Sequence, residues 1–402
     1  MLSEESIETV RATLPAVRSA IGEIASVFYD KLFTARPELL RDLFNRGNQA
    51  SGEQQQALAG SIAAFASALL ENPGTPPETM LSRIAHKHAS LGITPDQYAI
   101  VHTNLFAAIA EVLGEAVTDE VAAAWSEVYW SMADALIAIE TRLYAEAGTP
   151  DGDVWRDYRV VGRLPDNDVV TFLARPVDGS PPPASRPGQY VSVQVELPDG
   201  ARQIRQYSLS GAPADAVQFT VKKVVGSPDG EVSNHLHERV TEGDVLRIGA
   251  PFGDVTLGDG DGDGDGDGDG PVLLASAGIG CTPMISMLNH LAGTGSPRRV
   301  IAVHADRAQG THAFRADLDQ LVAKLPDATA HVWYEAPEGP WPADRTGLVD
   351  LTAIGIPEGI TAYLCGPLPF LRAVRTQLRE LGVPATDIHY EVFGPDLWLG
   401  QD

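Results

Sequence analysis

The spacing of apolar residues changes twice along this chain of 402 residues. Residues 1–147 repeat apolar side chains with the period of a helix. Residues 152–257 contain segments that alternate apolar and polar side chains, such as QYVSVQV and VQFTVKKV, between turn-rich stretches. From residue 271 to residue 402, short apolar segments alternate with helical patterns. The sequence therefore predicts an all-α domain, then an antiparallel β-barrel, then an α/β domain with a parallel sheet.

Two polar segments separate the predicted domains. The first, EAGTPDGD at residues 146–153, has the composition of a linker. The second, GDGDGDGDGDGDG at residues 258–270, combines flexible glycines with aspartates that repel one another. We expect this Gly-Asp segment to be a flexible tether.

The net charge argues against some kinds of partner, and the cysteine content bears on the cellular compartment. A net charge of −25 argues against nucleic acid and anionic membrane surfaces, which require basic patches. The first residues lack the pattern of a signal peptide, and no apolar run has the length of a membrane span. Cys281 and Cys365 are the only cysteines and lie far apart, so a disulfide framework is not expected. We expect a cytoplasmic monomer without stable membrane insertion.

Two histidines stand close together in the segment LSRIAHKHASLG, residues 81–92. On a helix, His88 shares a face with apolar side chains, whereas His86 points toward solvent. A histidine on an apolar face either hydrogen-bonds within the core or binds a metal, so His88 is the candidate ligand. His102 also faces inward on its predicted helix and is a rival ligand.

Further polar side chains lie on or beside the inward faces of the predicted helices. These residues are Tyr29, Gln54, Tyr98 and Glu140. Buried polar groups need partners, and a convergent set of them favours a pocket over a plain core.

With these features the helical domain resembles a globin, and nearly the whole chain resembles bacterial flavohaemoglobins, which act as nitric oxide dioxygenases. The resemblance implies haem b, FAD and NADH or NADPH as cofactors, with O2 and NO as small-molecule partners. NAD(P)H would reduce FAD, FAD would pass single electrons to the haem iron, and NO would become nitrate.

The resemblance also assigns roles in the haem pocket. It makes His88 the proximal ligand of the iron, with Tyr98 and Glu140 orienting it from behind. Tyr29 and Gln54 would lie on the distal side of the haem. The residues implied to pack against the porphyrin or to form the distal apolar wall are Phe44 and Leu58.

Three segments of the predicted barrel resemble the flavin-binding motifs of ferredoxin-reductase-like enzymes. In RQYSL, Arg205 would pair with the FAD pyrophosphate, Tyr207 would pack on the flavin and Ser208 would bond near its N5 atom. The flavin or adenine contacts and the phosphate loop implied by the segments RPGQY and GEVSNHL are Gln189, Tyr190, Gly230, Val232 and Ser233.

The segment LLASAGIGCTPM, residues 273–284, reads as strand, glycine turn and helix and resembles a dinucleotide loop. Gly278 and Gly280 would let the backbone approach the pyrophosphate, Thr282 would cap the helix and Pro283 would occupy its first position. The contacts implied on the nicotinamide side are Cys365, Gly366 and Pro367 in YLCGP and Phe393 in YEVFGP.

Some questions stay open at this level. Asp306 would favour the ribose 2′-OH of NADH, whereas Arg307 could favour the 2′-phosphate of NADPH, and we expect NADH. Cys281 and Val392 depart from the residues common at those positions in the family, which puts nicotinamide affinity in doubt. A haem-based gas sensor or carrier, or a general ferric or quinone reductase, would share the same motifs.

Overall fold

The computed structural model describes residues 2–72, 77–226, 228–258 and 270–395. Up to residue 146, the regular elements in the described residues are helical, as predicted. The α-helices of this region are α1 (Glu4–Ala35), α2 (Pro37–Asp42), α3 (Arg46–Ala50), α4 (Glu53–Glu71), α5 (Glu78–Leu91), α6 (Pro95–Leu113) and α7 (Asp119–Glu146).

Helix α6 begins where its sequence signals predict. Thr94 and Gln97 form a capping box, in which the Thr94 N–H donates to Gln97 Oε1 at 2.8 Å, and Pro95 is the first helical residue. Together with the residues that follow it, α6 is the one helix in the described part of the chain whose length and composition would allow it to cross a membrane. It packs against α1 and α7, with Leu105 and Ile109 buried.

The second unit is a closed antiparallel barrel with strand order β1-β2-β5-β4-β3-β6, which confirms the predicted class. Its elements are β1 (Trp155–Asp166), β2 (Val169–Pro176), β3 (Tyr190–Glu196), β4 (Arg202–Gly211), β5 (Val217–Lys222), α8 (Glu231–Arg239) and β6 (Val245–Gly249). Helix α8 contributes Val232 and Leu236 to the apolar core of the barrel, beside Phe172 and Phe219.

The third unit is a five-stranded parallel sheet in the order β11-β10-β7-β8-β9, again as predicted. Its elements are β7 (Val272–Ala277), α9 (Cys281–Thr294), β8 (Val300–Asp306), α10 (Arg315–Lys324), β9 (Ala328–Tyr334), β10 (Thr361–Cys365), α11 (Leu368–Glu380) and β11 (Ile388–Glu391). Both cysteines are free and buried. The tether prediction concerns residues 258–270, of which 259–269 lie outside the described residues.

Candidate functional site

His88, Glu140 and Tyr98 form a buried hydrogen-bonded group between α5, α6 and α7. His88 Nδ1 lies 2.8 Å from Glu140 Oε1 and 3.0 Å from the Tyr98 hydroxyl. Tyr98 donates its hydroxyl to the same carboxylate oxygen at 2.6 Å. Burial and the nearby Glu140 charge raise the pKa of Tyr98, so the phenol keeps the proton that it donates.

This arrangement suits a metal-binding imidazole. His88 Nε2 has no hydrogen-bond partner among the described residues, whereas Nδ1 faces a carboxylate that is 2% exposed. A carboxylate on Nδ1–H fixes the tautomer that leaves Nε2 free as a ligand and makes that nitrogen more basic. The group therefore fits a proximal ligand of haem iron, the role that the sequence predicts for His88.

The rival ligand His102 is occupied elsewhere. Its Nε2 lies 2.9 Å from the Ser126 hydroxyl. Its ring stacks on Phe106 at 4.3 Å and on Trp130 at 5.3 Å between centroids. His102 is therefore a hydrogen-bonded member of an aromatic cluster.

The expectation that His86 faces solvent is wrong. Its Nδ1 accepts a hydrogen bond from the backbone N–H of Gly253 at 3.0 Å, in the segment after β6. Burial lowers the pKa of His86, which keeps the imidazole neutral as this acceptor requires. The side of α5 away from the helical core is covered by the barrel rather than by water.

Tyr29 lies in a buried apolar cluster of the helical domain and is 4% exposed. Burial raises its pKa to about 12, partly opposed by the side chains of Gln54 and Gln49. The Tyr29 ring meets Phe44 edge-on at 5.8 Å, and Phe44 and Leu58 pack against the same apolar cluster. The structure thus brings together Tyr29, Gln54 and Leu58, predicted for the distal side, and Phe44, predicted to pack on the porphyrin.

Gln49 was missed by the sequence reading. Both polar atoms of its side chain are buried without a hydrogen-bond partner in the described residues, and it lies beside Tyr29. An amide in this state costs stability unless something hydrogen-bonds to it. The polar environment of Tyr29 therefore includes Gln49 as well as Gln54.

An apolar cavity of about 40 Å³ adjoins this region, lined by residues of α1, α4, α6 and α7 that include Leu58, Ile62 and Phe65. It contains almost no polar surface. A dry space of this size next to Leu58 suits a small apolar molecule rather than water.

The barrel presents the predicted flavin residues along one stretch of β4. Arg205 is mostly buried and has no carboxylate partner among the described residues; burial lowers its pKa. Tyr207 stacks on Phe219 at 5.7 Å. Ser208 stands opposite Tyr190 in the register of β3 and β4, and its hydroxyl is buried without a partner. An unpaired guanidinium and an orphaned hydroxyl fit a phosphate and a flavin edge.

The predicted phosphate loop is the first turn of α8. Gly230 precedes the helix, and a Cβ atom there would lie 2.5 Å from Ser233 Oγ. Val232 is a core residue of the barrel, so only its backbone is available to a ligand. Gln189 uses its side-chain oxygen to accept from the Arg186 N–H at 2.8 Å, which shapes the turn before β3.

The two predicted nucleotide motifs meet at the carboxyl ends of the neighbouring strands β7 and β10 of the parallel sheet. A Cβ atom at Gly280 would lie 2.4 Å from the carbonyl oxygen of Cys365, and Gly366 approaches Ala277 in the same way. Pro367 precedes α11 directly. This close approach of two backbones requires glycine and forms a cradle suited to a pyrophosphate.

The predicted helix start at Thr282 is wrong. Helix α9 begins at Cys281 after a 3₁₀ turn, Gly278–Gly280, and Gly280 is the N-cap. Thr282 instead donates its hydroxyl to the Ile279 carbonyl at 3.1 Å, and Pro283 is the third residue of the helix. Because the 3₁₀ turn leads directly into α9, Gly280 rather than Thr282 comes before the first helical residue.

The structure places Asp306, on which the expectation of NADH rests, in a largely buried position. The Asp306 side chain is 5% exposed, and its carboxylate accepts from the Arg307 N–H at 2.6 Å and from the Thr311 hydroxyl. Burial raises the pKa of Asp306, but the nearby His304 and hydrogen bonds from Thr311 and Arg307 together lower it to about 2. One oxygen of Asp306 is thus satisfied within the protein and Oδ2 has no hydrogen-bond partner in the described residues, whereas the neighbouring Arg307 is exposed.

Phe393 follows β11 and is 46% exposed, so its ring is accessible, as a residue that covers a ligand must be. The same end of the chain contributes Glu391, which the sequence reading missed. Burial raises the pKa of Glu391 to about 8.

Lys87, between the two histidines of α5, points toward the barrel and Glu391. Its Nζ donates to Gln206 Oε1 on β4 at 2.6 Å. Burial lowers the pKa of Lys87 to about 8. Lys87 thus connects the His88 helix to the flavin strand and to the C-terminal segment, a contact that no local sequence signal indicates.

Comparison with known proteins agrees with this arrangement. Residues 26–136 match the globin family model, and residues 274–376 match the model of oxidoreductase NAD-binding domains. The flavohemoprotein of Bordetella pertussis is 44% identical over 411 residues, covering 98% of this chain and 99% of its own. That of Rhizobium meliloti is 40% identical over 414 residues, covering 99% and 100%.

Two solved structures are similar as well. The flavohemoglobin of Malassezia yamatoensis, determined with bound FAD and heme, has a TM-score of 0.89 and 36% identity, covering 98% of this chain and 100% of its own. The FAD/NAD-binding domain of nitric oxide dioxygenase from Vibrio cholerae has a TM-score of 0.54 and 34% identity, covering 60% and 99%.

We predict that His88→Ala abolishes haem retention, because it removes the one imidazole placed on the buried carboxylate. His86→Ala should retain haem with an unchanged Soret spectrum, since His86 contacts only the barrel side. The measurement is haem content and absorbance of both purified variants. Equal loss of haem in both would contradict the assignment.

The buried Glu391 predicts a pH dependence of stability. Between pH 4.5, the usual pKa, and about pH 8, the folded state holds a proton that the unfolded state releases. The contribution of Glu391 to stability therefore falls as the pH rises through this interval. Glu391→Gln should gain in melting temperature relative to wild type across the same interval.

The matched control for this prediction is Glu358→Gln, because Glu358 is exposed. Its melting temperature should follow the wild type at every pH. Parallel melting curves for wild type and Glu391→Gln would show that Glu391 is ionised in the folded protein at neutral pH.

Proposed function

Because this chain belongs to the flavohemoprotein family, we propose that it is a nitric oxide dioxygenase that uses electrons from NAD(P)H to convert NO and O2 to nitrate. Its globin and its FAD and NAD-binding modules make it an oxidoreductase with haem, FAD and NAD(P)H as cofactors. When bound, FAD accepts a hydride and releases single electrons, and haem binds O2.

The observation that carries the proposal is a pair of hydrogen-bonding groups inside the helical domain. His88 is backed by a buried carboxylate, while Tyr29 is a buried phenol whose raised pKa, about 12, keeps it protonated at neutral pH. A protonated phenol can donate a hydrogen bond to a ligand that gains negative charge, and such bonds are the stronger ones. This combination supports the activation of O2.

The contact between the helical domain and the barrel supports an enzyme rather than an oxygen carrier or sensor. Lys87 reaches Gln206 on the flavin strand from the helix that carries His88. A carrier or sensor needs no such close connection to a reductase. This contact between the two domains favours an enzyme whose haem is reduced again in every catalytic cycle.

The test is consumption of NO by the purified holoprotein, measured with an electrode under air and with NADH or NADPH. We expect NO loss that requires both O2 and the nicotinamide, with nitrate as product. Rapid reduction of ferricyanide or quinones without nitrate formation would support the general reductase instead. Tight O2 binding without NO loss would support a sensor or carrier.

Tyr29→Phe tests the distal assignment. The change conserves ring volume and removes one hydrogen bond to bound ligand, worth roughly 1.5–3 kcal/mol. O2 should dissociate about ten- to a hundredfold faster in stopped-flow measurements. Reduction of FAD by NAD(P)H should not change. An O2 dissociation rate close to that of the wild type would show that Tyr29 does not contact the ligand.

Arg307→Ala tests the nicotinamide preference. Arg307 is exposed at the end of β8, next to a buried Asp306, and forms no ion pair with the described residues. An arginine at this strand end suits the 2′-phosphate of NADPH. The KM for NADPH should rise about tenfold, as expected for a lost charged hydrogen bond, while the KM for NADH stays unchanged. An equal rise for both nucleotides would place Arg307 away from the 2′ position.

A further inference from the structure

Gln203, on β4, is completely buried between the barrel and the helical domain. Its side-chain nitrogen shares its two hydrogens among three backbone carbonyls of the helical domain, at 3.3 Å to Leu40, 3.0 Å to Arg41 and 3.2 Å to Phe44. These carbonyls lie at the end of α2 and in the turn that follows it. One amide group of the barrel therefore holds the backbone of the turn that carries Phe44.

The side-chain oxygen of Gln203 connects the same turn to the flavin site. It accepts from the backbone N–H of Arg46 at 3.3 Å and from Arg205 Nη1 at 3.3 Å. Arg205 is the guanidinium that suits the FAD pyrophosphate. Gln203 is thus in contact with both the Phe44 turn and the arginine of the flavin site.

The Phe44 ring extends from this turn toward the distal pocket. It lies edge-on to Tyr29 at 5.8 Å and to Phe33 at 5.3 Å between centroids. A displacement of the turn must therefore move a ring that contacts the distal tyrosine.

We propose that Gln203 is a positioning residue that couples flavin binding at Arg205 to ligand binding in the distal haem pocket. A phosphate that fixes Arg205 also fixes Gln203, and with it the turn and the Phe44 ring. A ligand that then enters the pocket meets a region that is already ordered, so it binds more tightly. Linkage requires the reverse effect to be equally large: a pocket ligand strengthens FAD binding by the same factor.

A simpler role for Gln203 would be to hold the two domains together. Arg202, the preceding residue, does that without contact to Arg205. Its backbone N–H and its guanidinium bind the Asp42 carboxylate at 3.1 Å and 3.0 Å. Arg202→Ala is therefore the matched control, because it weakens the same interface and leaves the Gln203 amide in place.

The experiment measures coupling in ferric haem-containing protein, with cyanide as the pocket ligand. The dissociation constant of FAD is measured with and without cyanide, and that of cyanide with and without FAD. In wild type we expect the two ratios to agree and to be about fivefold or more, the lower end of typical coupling between sites. In Gln203→Met both ratios should approach one, whereas Arg202→Ala should keep the wild-type ratio.

Three outcomes would overturn the proposal: no coupling in wild type, full coupling in Gln203→Met, or equal loss in Arg202→Ala, which would mean that docking alone is responsible. If Gln203→Met does not fold, Gln203→Leu provides the same test, since it also removes the donor to the three carbonyls and the acceptor for Arg205. Neither variant requires NO, so the proposal and the dioxygenase assignment can fail independently.

Discussion

The carboxylate of Glu140 lies inside the helical domain, where an isolated charge would be strongly unfavourable. It is tolerated because Tyr98 and His88 both hydrogen-bond to the same oxygen. Satisfying this carboxylate fixes how α5, α6 and α7 pack, and it also fixes which nitrogen of His88 is free. The requirement to pair one buried charge therefore sets both the local packing and the chemistry of the imidazole.

Helix α5 presents three successive side chains to three different surroundings. His88 faces the helical core, Lys87 reaches the flavin strand and His86 accepts a bond from the loop after β6. Because each residue turns by about 100° along a helix, neighbours in sequence necessarily face different directions. A helix placed between two domains uses this rotation to connect them, which explains why so short a segment joins the haem side to the flavin side.

Periodicity was sufficient to predict the three domain classes and to place His88 on the inward face of its helix, because both depend on local patterns. It failed where contacts come from distant parts of the chain. His86 was expected in solvent because the barrel that covers it cannot be seen from the helix alone. Lys87 and Glu391, like Gln203 and the Phe44 turn, come together only through domain packing. Thr282 was misread for a local reason, since the 3₁₀ turn before α9 has no clear sequence signal.

Some of the buried polar atoms without a protein partner lie where the sequence places cofactors. Gln49 lies beside Tyr29, Ser208 on the flavin strand and Glu391 where the C-terminal segment meets α5. Each orphaned group costs about 1–3 kcal/mol in the protein alone. Natural sequences tolerate unpaired buried polar atoms mainly at functional sites, where a bound group can form the missing hydrogen bond. The stability lost at these positions is thus recovered on cofactor or ligand binding, and folding and loading of the protein become thermodynamically linked.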